Sequence, residues 1–216
     1  MSGDSRSATI GPNVAVSTGV VMTRTTAIAL GLFLVGFTGS DDGATVSGQA
    51  GDGWTTLFDG KNLDHWTPIG NANWRLTDGT VEATSGTGFL VSKQSYGDFE
   101  LRVEFWIAPE ANSGIFIRCQ NPKAVSPATC YEVNAWDQRP DPLYRTGAIV
   151  DVAKPMAMIN AANRWNTYEI SARGPRLVVR LNGTLTVDVE DTKLARGPVA
   201  LQASMGTVRF RSVQIR

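Results

Sequence analysis

Histidine is nearly missing from this chain: of 216 residues, only His65 carries an imidazole. Any Ser-His-Asp, Cys-His or poly-histidine metal scheme would have to run through that one side chain, which removes most nucleophilic and zinc-type designs. Cysteine is scarce too, with Cys119 and Cys130 alone, so no paired CxxC metal pattern exists, and neither a P-loop nor a dinucleotide fingerprint appears. Net charge is lacking altogether, since 20 basic residues balance 20 acidic ones. Charge-driven binding of nucleic acid or an anionic membrane needs a basic excess, so neither is expected as a partner. From residue 53 onward no segment has a convincing helical period.

Turn residues and short β segments fill the space. Twenty-two glycines and ten prolines punctuate about a dozen alternating stretches, with turn signals every 8–12 residues. The segment FELRVEFWI alternates Phe99, Leu101, Val103, Phe105 and Ile107 against Glu100, Arg102, Glu104 and Trp106, a strand with one buried face. Asp78-Gly79 and Asn182-Gly183 are two-residue hairpin signals. A further strand is expected at 146–150, while the loop at 151–164 has room for one helical turn, limited by Pro155. The expected fold is all-β, a two-sheet jelly-roll sandwich larger than an immunoglobulin domain.

The N-terminal part reads differently. Residues 27–37 are continuously apolar and follow Arg24, which predicts an export signal too short to span a bilayer as a stable helix. Residues 1–40 are therefore expected to be a signal peptide, with Met22 as an alternative start, and Ser40 or Ala50 as small residues at a cleavage point. Residues 41–52, rich in Gly, Ser, Asp and Thr, are expected to be a flexible linker, and 53–216 the folded domain. The expected location is periplasmic or extracellular, with no membrane contact beyond the export signal.

The densest chemistry lies at 112–137. In YEVNAWD, one parity holds Glu132, Asn134 and Trp136, and the other holds Tyr131, Val133, Ala135 and Asp137. The second set reads as core for most of its length. The first reads as a ligand surface: a carboxylate, an amide and an indole in one row. Cys119 and Cys130 flank the loop 120–129. In an oxidising compartment they would form a disulfide holding that loop beside the polar row, the alternative being two buried thiols. Asp59, Asp137, Asp141 and Asp151 are oxygen donors suited to Ca²⁺, without EF-hand spacing; no other cofactor is indicated.

Eight motifs in order carry a resemblance over nearly the whole folded part: LFDGKNLDHW, WRLTDGTVEA, YGDFELRVEF, NSGIFIR, YEVNAWD, TGAIVDV, RWNTYEISARGPRLVVRLNG and GPVALQASMGTVRFRSVQIR. Together they resemble the 3-keto-disaccharide hydrolase domain family, a concanavalin A-like jelly roll. The resemblance implies cleavage of glycosides oxidised at C3, by removal of the C2 proton, elimination across C1–C2, and hydration. It implies an oligosaccharide or glycoside substrate.

Carried onto this sequence, Glu132 is the candidate base and Arg118 the group that orients it or stabilises the enolate. Asn134, Trp136, Gln202, Asp137, Trp106 and Glu104 are candidate substrate contacts. The bland reading of Glu132 and Arg118 is a cross-strand ion pair on a solvated face. Three positions depart from the family pattern: Ser204 stands where the family has histidine, Val150 where it often has tyrosine, and His65 where it has glycine. A non-catalytic carbohydrate-binding module is the second reading.

Overall fold

The computed structural model describes residues 53–216; the expected export signal and the linker of residues 41–52 lie outside them. Thirteen strands form two antiparallel sheets. In chain order they are β1 (Thr55–Phe58), β2 (Trp66–Gly70), β3 (Arg75–Thr77), β4 (Thr80–Ala83), β5 (Gly88–Ser92), β6 (Phe99–Ile107), β7 (Ser113–Ile117), β8 (Tyr131–Ala135), β9 (Trp165–Arg173), β10 (Arg176–Leu181), β11 (Thr184–Glu190), β12 (Ala200–Ala203) and β13 (Val208–Ile215). The larger sheet runs β11-β10-β9-β6-β13-β4-β3, with β1 added to β13, and the smaller runs β2-β5-β12-β7-β8. The expected all-β jelly-roll sandwich is what forms.

Alternation explains why these strands stack face to face. Along β6, the residues from Phe99 to Ile107 switch between buried and half-buried at every step, so one face meets the other sheet and one meets solvent. Phe105 and Phe210 of the larger sheet, with Ile115, Val133 and Leu201 of the smaller, share one core. Phe105 also stacks on Tyr168, with ring centroids 4.8 Å apart.

The two-residue turns close as their sequences require. Asp78 and Gly79 take φ of 48° and 71°, and Asn182 and Gly183 take 51° and 80°, the left-handed pair that matches strand twist.

Two local expectations fail. Residues 146–150 are not a strand: Ile149 makes only isolated bridges to Val133 and Ala153. Left-handed backbone at Gly147 (φ 89°) and Asp151 (φ 61°) ends extended structure on both sides. The helical turn falls at Pro142–Tyr144 rather than in 151–164, because Asp141 accepts a hydrogen bond from the Leu143 amide and Pro142 starts the turn.

Candidate active site

The smaller sheet buries one face in the core; its other face carries the site. Directly opposed residues of antiparallel strands share a face. The register pairs Glu132 with Phe116 and Asn134 with Gly114, Phe116 with Ala200, and Gln202 with Phe89. One end of this face is apolar, where Val91, Phe116 and Ala200 pack with the two cysteines. The other end is polar, with Glu132, Asn134 and Gln202. Gly114 makes room for the acid: a Cβ there would lie 3.0 Å from Glu132 Oε1 and 3.1 Å from its Cγ.

Loops wall in this polar end to leave a cleft of about 250 Å³. Trp136, Arg139 and Tyr144 come from the segment after β8, Val150 and Asp151 from the segment that follows, Asn112 from the residue before β7, and Pro127 from the loop between the cysteines. The segment after β8 is tied down at several points. Asn134 donates to the Tyr144 carbonyl at 2.5 Å, and the Gly147 and Val150 amides donate to the carbonyls of Asn134 and Glu132 at 3.0 Å each. The Tyr144 hydroxyl donates to Asp151 at 2.7 Å. The Arg139 guanidinium lies over Trp136, 4.8 Å from the ring centre, and over Tyr144 at 5.2 Å.

Glu132 is buried at 6% exposure, and among the described residues nothing donates a hydrogen bond to its carboxyl. Burial, and then the negative charge of Asp151, push its pKa up to about 8. Asp151 also raises the Tyr144 phenol, as acceptor of its hydrogen bond and as a charge. Gln202 adds a second unsatisfied group. Its Oε1 is one of only two fully buried side-chain polar atoms without a partner among the described residues, the other being Trp74 Nε1. Groups that stay unpaired in a polar cleft call for a ligand or water to pair with.

Glu132, Asn134, Trp136 and Gln202 thus meet in one cleft. The other sequence candidates lie elsewhere. Arg118 is fully buried and takes a left-handed backbone, φ 53°, which breaks strand parity at that residue. Its Nε donates to Gly97 O at 3.0 Å, Nη1 to Gly174 O and Leu194 O at 2.8 and 3.1 Å, and Nη2 to Asp98 at 3.1 Å. Arg118 therefore clamps three backbone segments and neither reaches the cleft nor pairs with Glu132.

Asp137 is equally committed. One oxygen accepts from Thr146 Oγ1 at 2.5 Å, and the other from the Ala161 and Ala162 amides at 2.8 Å each. Glu104 and Trp106 point outward from the larger sheet, where Glu104 pairs with Arg211 and Arg209 covers Trp106. Alternation separates core from surface but does not say which sheet a strand joins. The four aspartates offered for calcium are dispersed, and among the described residues no three Asp, Glu, His or Cys side chains gather to hold a metal ion.

Arg139, Tyr144 and Asn112 were not anticipated as site residues, and Asp151 only as an oxygen donor. The available signal was the run of aromatic and cationic residues in WDQRPDPLYR, a connection too long for a hairpin between rigid strands.

The family model described as the 3-keto-alpha-glucoside-1,2-lyase-like domain matches residues 53–216. The chain belongs to this family. A curated relative named 3-keto-disaccharide hydrolase, from Bacteroides thetaiotaomicron, is 33% identical over an alignment covering 32% of this chain and 28% of the relative. The match thus spans little more than a quarter of that protein. Among solved structures, a candidate glycosyl hydrolase from Parabacteroides distasonis superposes with a TM-score of 0.68 at 18% identity, covering 76% of this chain and 93% of that one. The carbohydrate-binding module CBM66 of Bacillus subtilis superposes with a TM-score of 0.53 at 20% identity, covering 75% and 94%. At these identities the structural likeness establishes the fold.

Two features of this lyase-like domain bear on the cleft. Cys119 and Cys130 are joined in a disulfide, which closes the loop that supplies Pro127, and Lys193 donates to the Pro127 carbonyl at 3.2 Å. Ser204, at the departure from the family's histidine, follows β12 two residues beyond Gln202, and its carbonyl accepts from Thr87 Oγ1 at 3.4 Å.

Proposed function

We propose that this domain cleaves 3-keto-glycosides by elimination followed by hydration, in an exported protein. The observation that carries this reading is Glu132, an acid buried in the cleft and, among the described residues, without a hydrogen-bond donor; burial and the charge of Asp151 push its pKa up to about 8. A base works best when its pKa lies near the working pH, and a carboxylate raised by burial is a stronger base than one on the surface. Oxidation at C3 acidifies the C2 proton enough for such a base.

In the elimination, Glu132 takes the C2 proton. The C–H electron pair becomes the C2=C3 bond of an enolate, and the carbonyl pair moves onto the C3 oxygen. As the carbonyl re-forms, the pair shifts to C1=C2 and the C1–O bond breaks. The departing oxygen leaves with the C1–O bonding pair and takes up a proton. Water then adds across C1=C2, hydroxyl to C1 and proton to C2, which completes a net hydrolysis. This sequence needs one base and stabilisation of an oxyanion, rather than the two spaced carboxylates of a glycosidase acting through an oxocarbenium ion. Gln202, with its free Oε1, and Trp136, half-buried at the wall, suit a sugar hydroxyl and a pyranose face. The disulfide accords with export to an oxidising compartment.

Ser204 favours a second reading, a binding module that retains the cleft without turnover. Incubation with a 3-keto-glucoside separates the two. The enzyme reading predicts release of aglycone and 3-keto-glucose by the wild type, none from the unoxidised glucoside, and strongly slowed release by Glu132→Gln. Glycan binding without any turnover would establish the module instead.

A further inference from the structure

Arg139 is a cation without a partner. Among the described residues it enters no ion pair and donates no hydrogen bond, although it lines the cleft that holds Glu132 and Asp151. Among the described residues, every other arginine that stacks on a tryptophan also pairs or bonds with an acid. Arg102 bonds Glu169, Arg209 bonds Glu82, Arg211 bonds Glu104 and Arg216 bonds Glu100.

What positions Arg139 is aromatic contact. Its guanidinium carbon lies 4.8 Å from the Trp136 ring centre and 5.2 Å from that of Tyr144. The shelf is itself fixed, with the Tyr144 hydroxyl on Asp151 and its carbonyl on the Asn134 amide. Cation–π stacking uses the faces of the guanidinium and leaves its N–H edge free. The cleft therefore offers a planar fork of five donors, held in place without being consumed.

Resting on the reading of this cleft as a 3-keto-glycoside site, we propose that Arg139 is the catalytic residue that binds the C3 oxygen as it becomes an enolate. When Glu132 takes the C2 proton, one negative charge passes from the carboxylate to that oxygen. The cleft then needs a donor that strengthens as charge arrives, which an unpaired guanidinium supplies. Arg118 cannot do so, since four donor contacts commit it elsewhere. Asn134 suits the role less, since one N–H of its amide is held by the Tyr144 carbonyl and the group carries no charge.

The test compares wild type, Arg139→Lys and Arg139→Gln on a 3-keto-glucoside, reading kcat and KM separately, together with exchange of the C2 proton for deuterium in heavy water. Arg139→Gln should lower kcat about 100-fold or more and slow exchange to match, with KM within a few-fold. Added guanidinium should restore part of the rate, and Arg139→Lys, which keeps charge but loses the fork, should fall between. A raised KM with kcat and exchange unchanged would make Arg139 a clamp for ground-state substrate and overturn the proposal. So would a variant indistinguishable from wild type. A wild type that turns over no 3-keto-glycoside removes the enzyme reading and this role together, which separates that failure from failure of Arg139 alone.

Discussion

The outward faces of the two sheets look alike in sequence and behave oppositely in structure. On β6 of the larger sheet, Glu100, Arg102, Glu104 and Trp106 alternate with core residues, as Glu132 and Asn134 do on β8 of the smaller sheet. Every polar group on the β6 row is answered. Glu100 bonds Arg173 and Arg216, Arg102 bonds Glu169, Glu104 bonds Arg211, and Trp54, Trp106 and Trp165 each lie under a guanidinium. On the β8 side, among the described residues, Glu132 accepts no hydrogen bond at its carboxyl, Arg139 has no ionic or hydrogen-bond partner, and Gln202 has an orphaned oxygen. A face that satisfies itself has no free valence for a ligand, whereas a buried face left unsatisfied is stable only because something else pairs with it.

The sharpest way to break this contrast is to neutralise one acid on each face. Glu132→Gln should lower turnover of a 3-keto-glucoside by about 10²- to 10⁴-fold, the usual worth of a general base. Glu104→Gln, on the other face, should leave the rate within about two-fold, as expected of a solvated ion pair. Steady-state kinetics on both variants decides it. Equal losses would mean that the partnered face also takes part in the chemistry.

The same acid also sets a pH signature in stability that needs no substrate. Its pKa is raised in the fold, from 4.5 to about 8, so the unfolded state releases this proton first. The folded state is favoured below pH 4.5, and that advantage is lost as pH rises to about 8. Relative to Glu132→Gln, the wild type should therefore lose stability across this window, on the order of a few kcal/mol, and run parallel above it. Urea unfolding of both proteins at pH 5, 7 and 9 measures the difference. A constant gap would mean that Glu132 is an ordinary exposed carboxylate.

Arg118 should show the converse behaviour, structural rather than chemical. Arg118→Ala leaves three buried or half-buried carbonyls without their donor and removes the bond to Asp98. A loss on the order of 3 kcal/mol is expected, with kcat per folded molecule unchanged. A stable variant with collapsed kcat would return Arg118 to the site.

These outcomes bear on what could be read from residues alone. Gln202 came only from the family resemblance, while period-two alternation located β8 and brought out the row of Glu132 and Asn134, because the apolar parity marks the core face. It failed for Arg118 because a left-handed backbone at φ 53° ends the alternation one residue after β7. It misplaced Glu104 and Trp106 because parity marks the outward face without saying of which sheet. Arg139 and Tyr144 lie in a loop, where no period exists to reveal the side on which they point. Cys119 and Cys130 were legible as a pair because they flank one short loop, and the bond between them, expected only in an oxidising compartment, is present.

The smallest effect is the one expected from the partnered face itself. Glu104 and Arg211 are 30% and 46% exposed as side chains, so water and salt screen their attraction. A double-mutant cycle with Glu104→Gln and Arg211→Met should yield a coupling under about 1 kcal/mol, shrinking further at 1 M salt. Arg211 also covers Trp165, 4.4 Å from its ring centre, so part of the single-mutant cost belongs to stacking and cancels within the cycle. A salt-insensitive coupling well above that value would show the β6 row to be desolvated. Its satisfied pairs would then be as costly to separate as the lone groups of the cleft are to leave unpaired, and the distinction between the two faces would rest on the ligand alone.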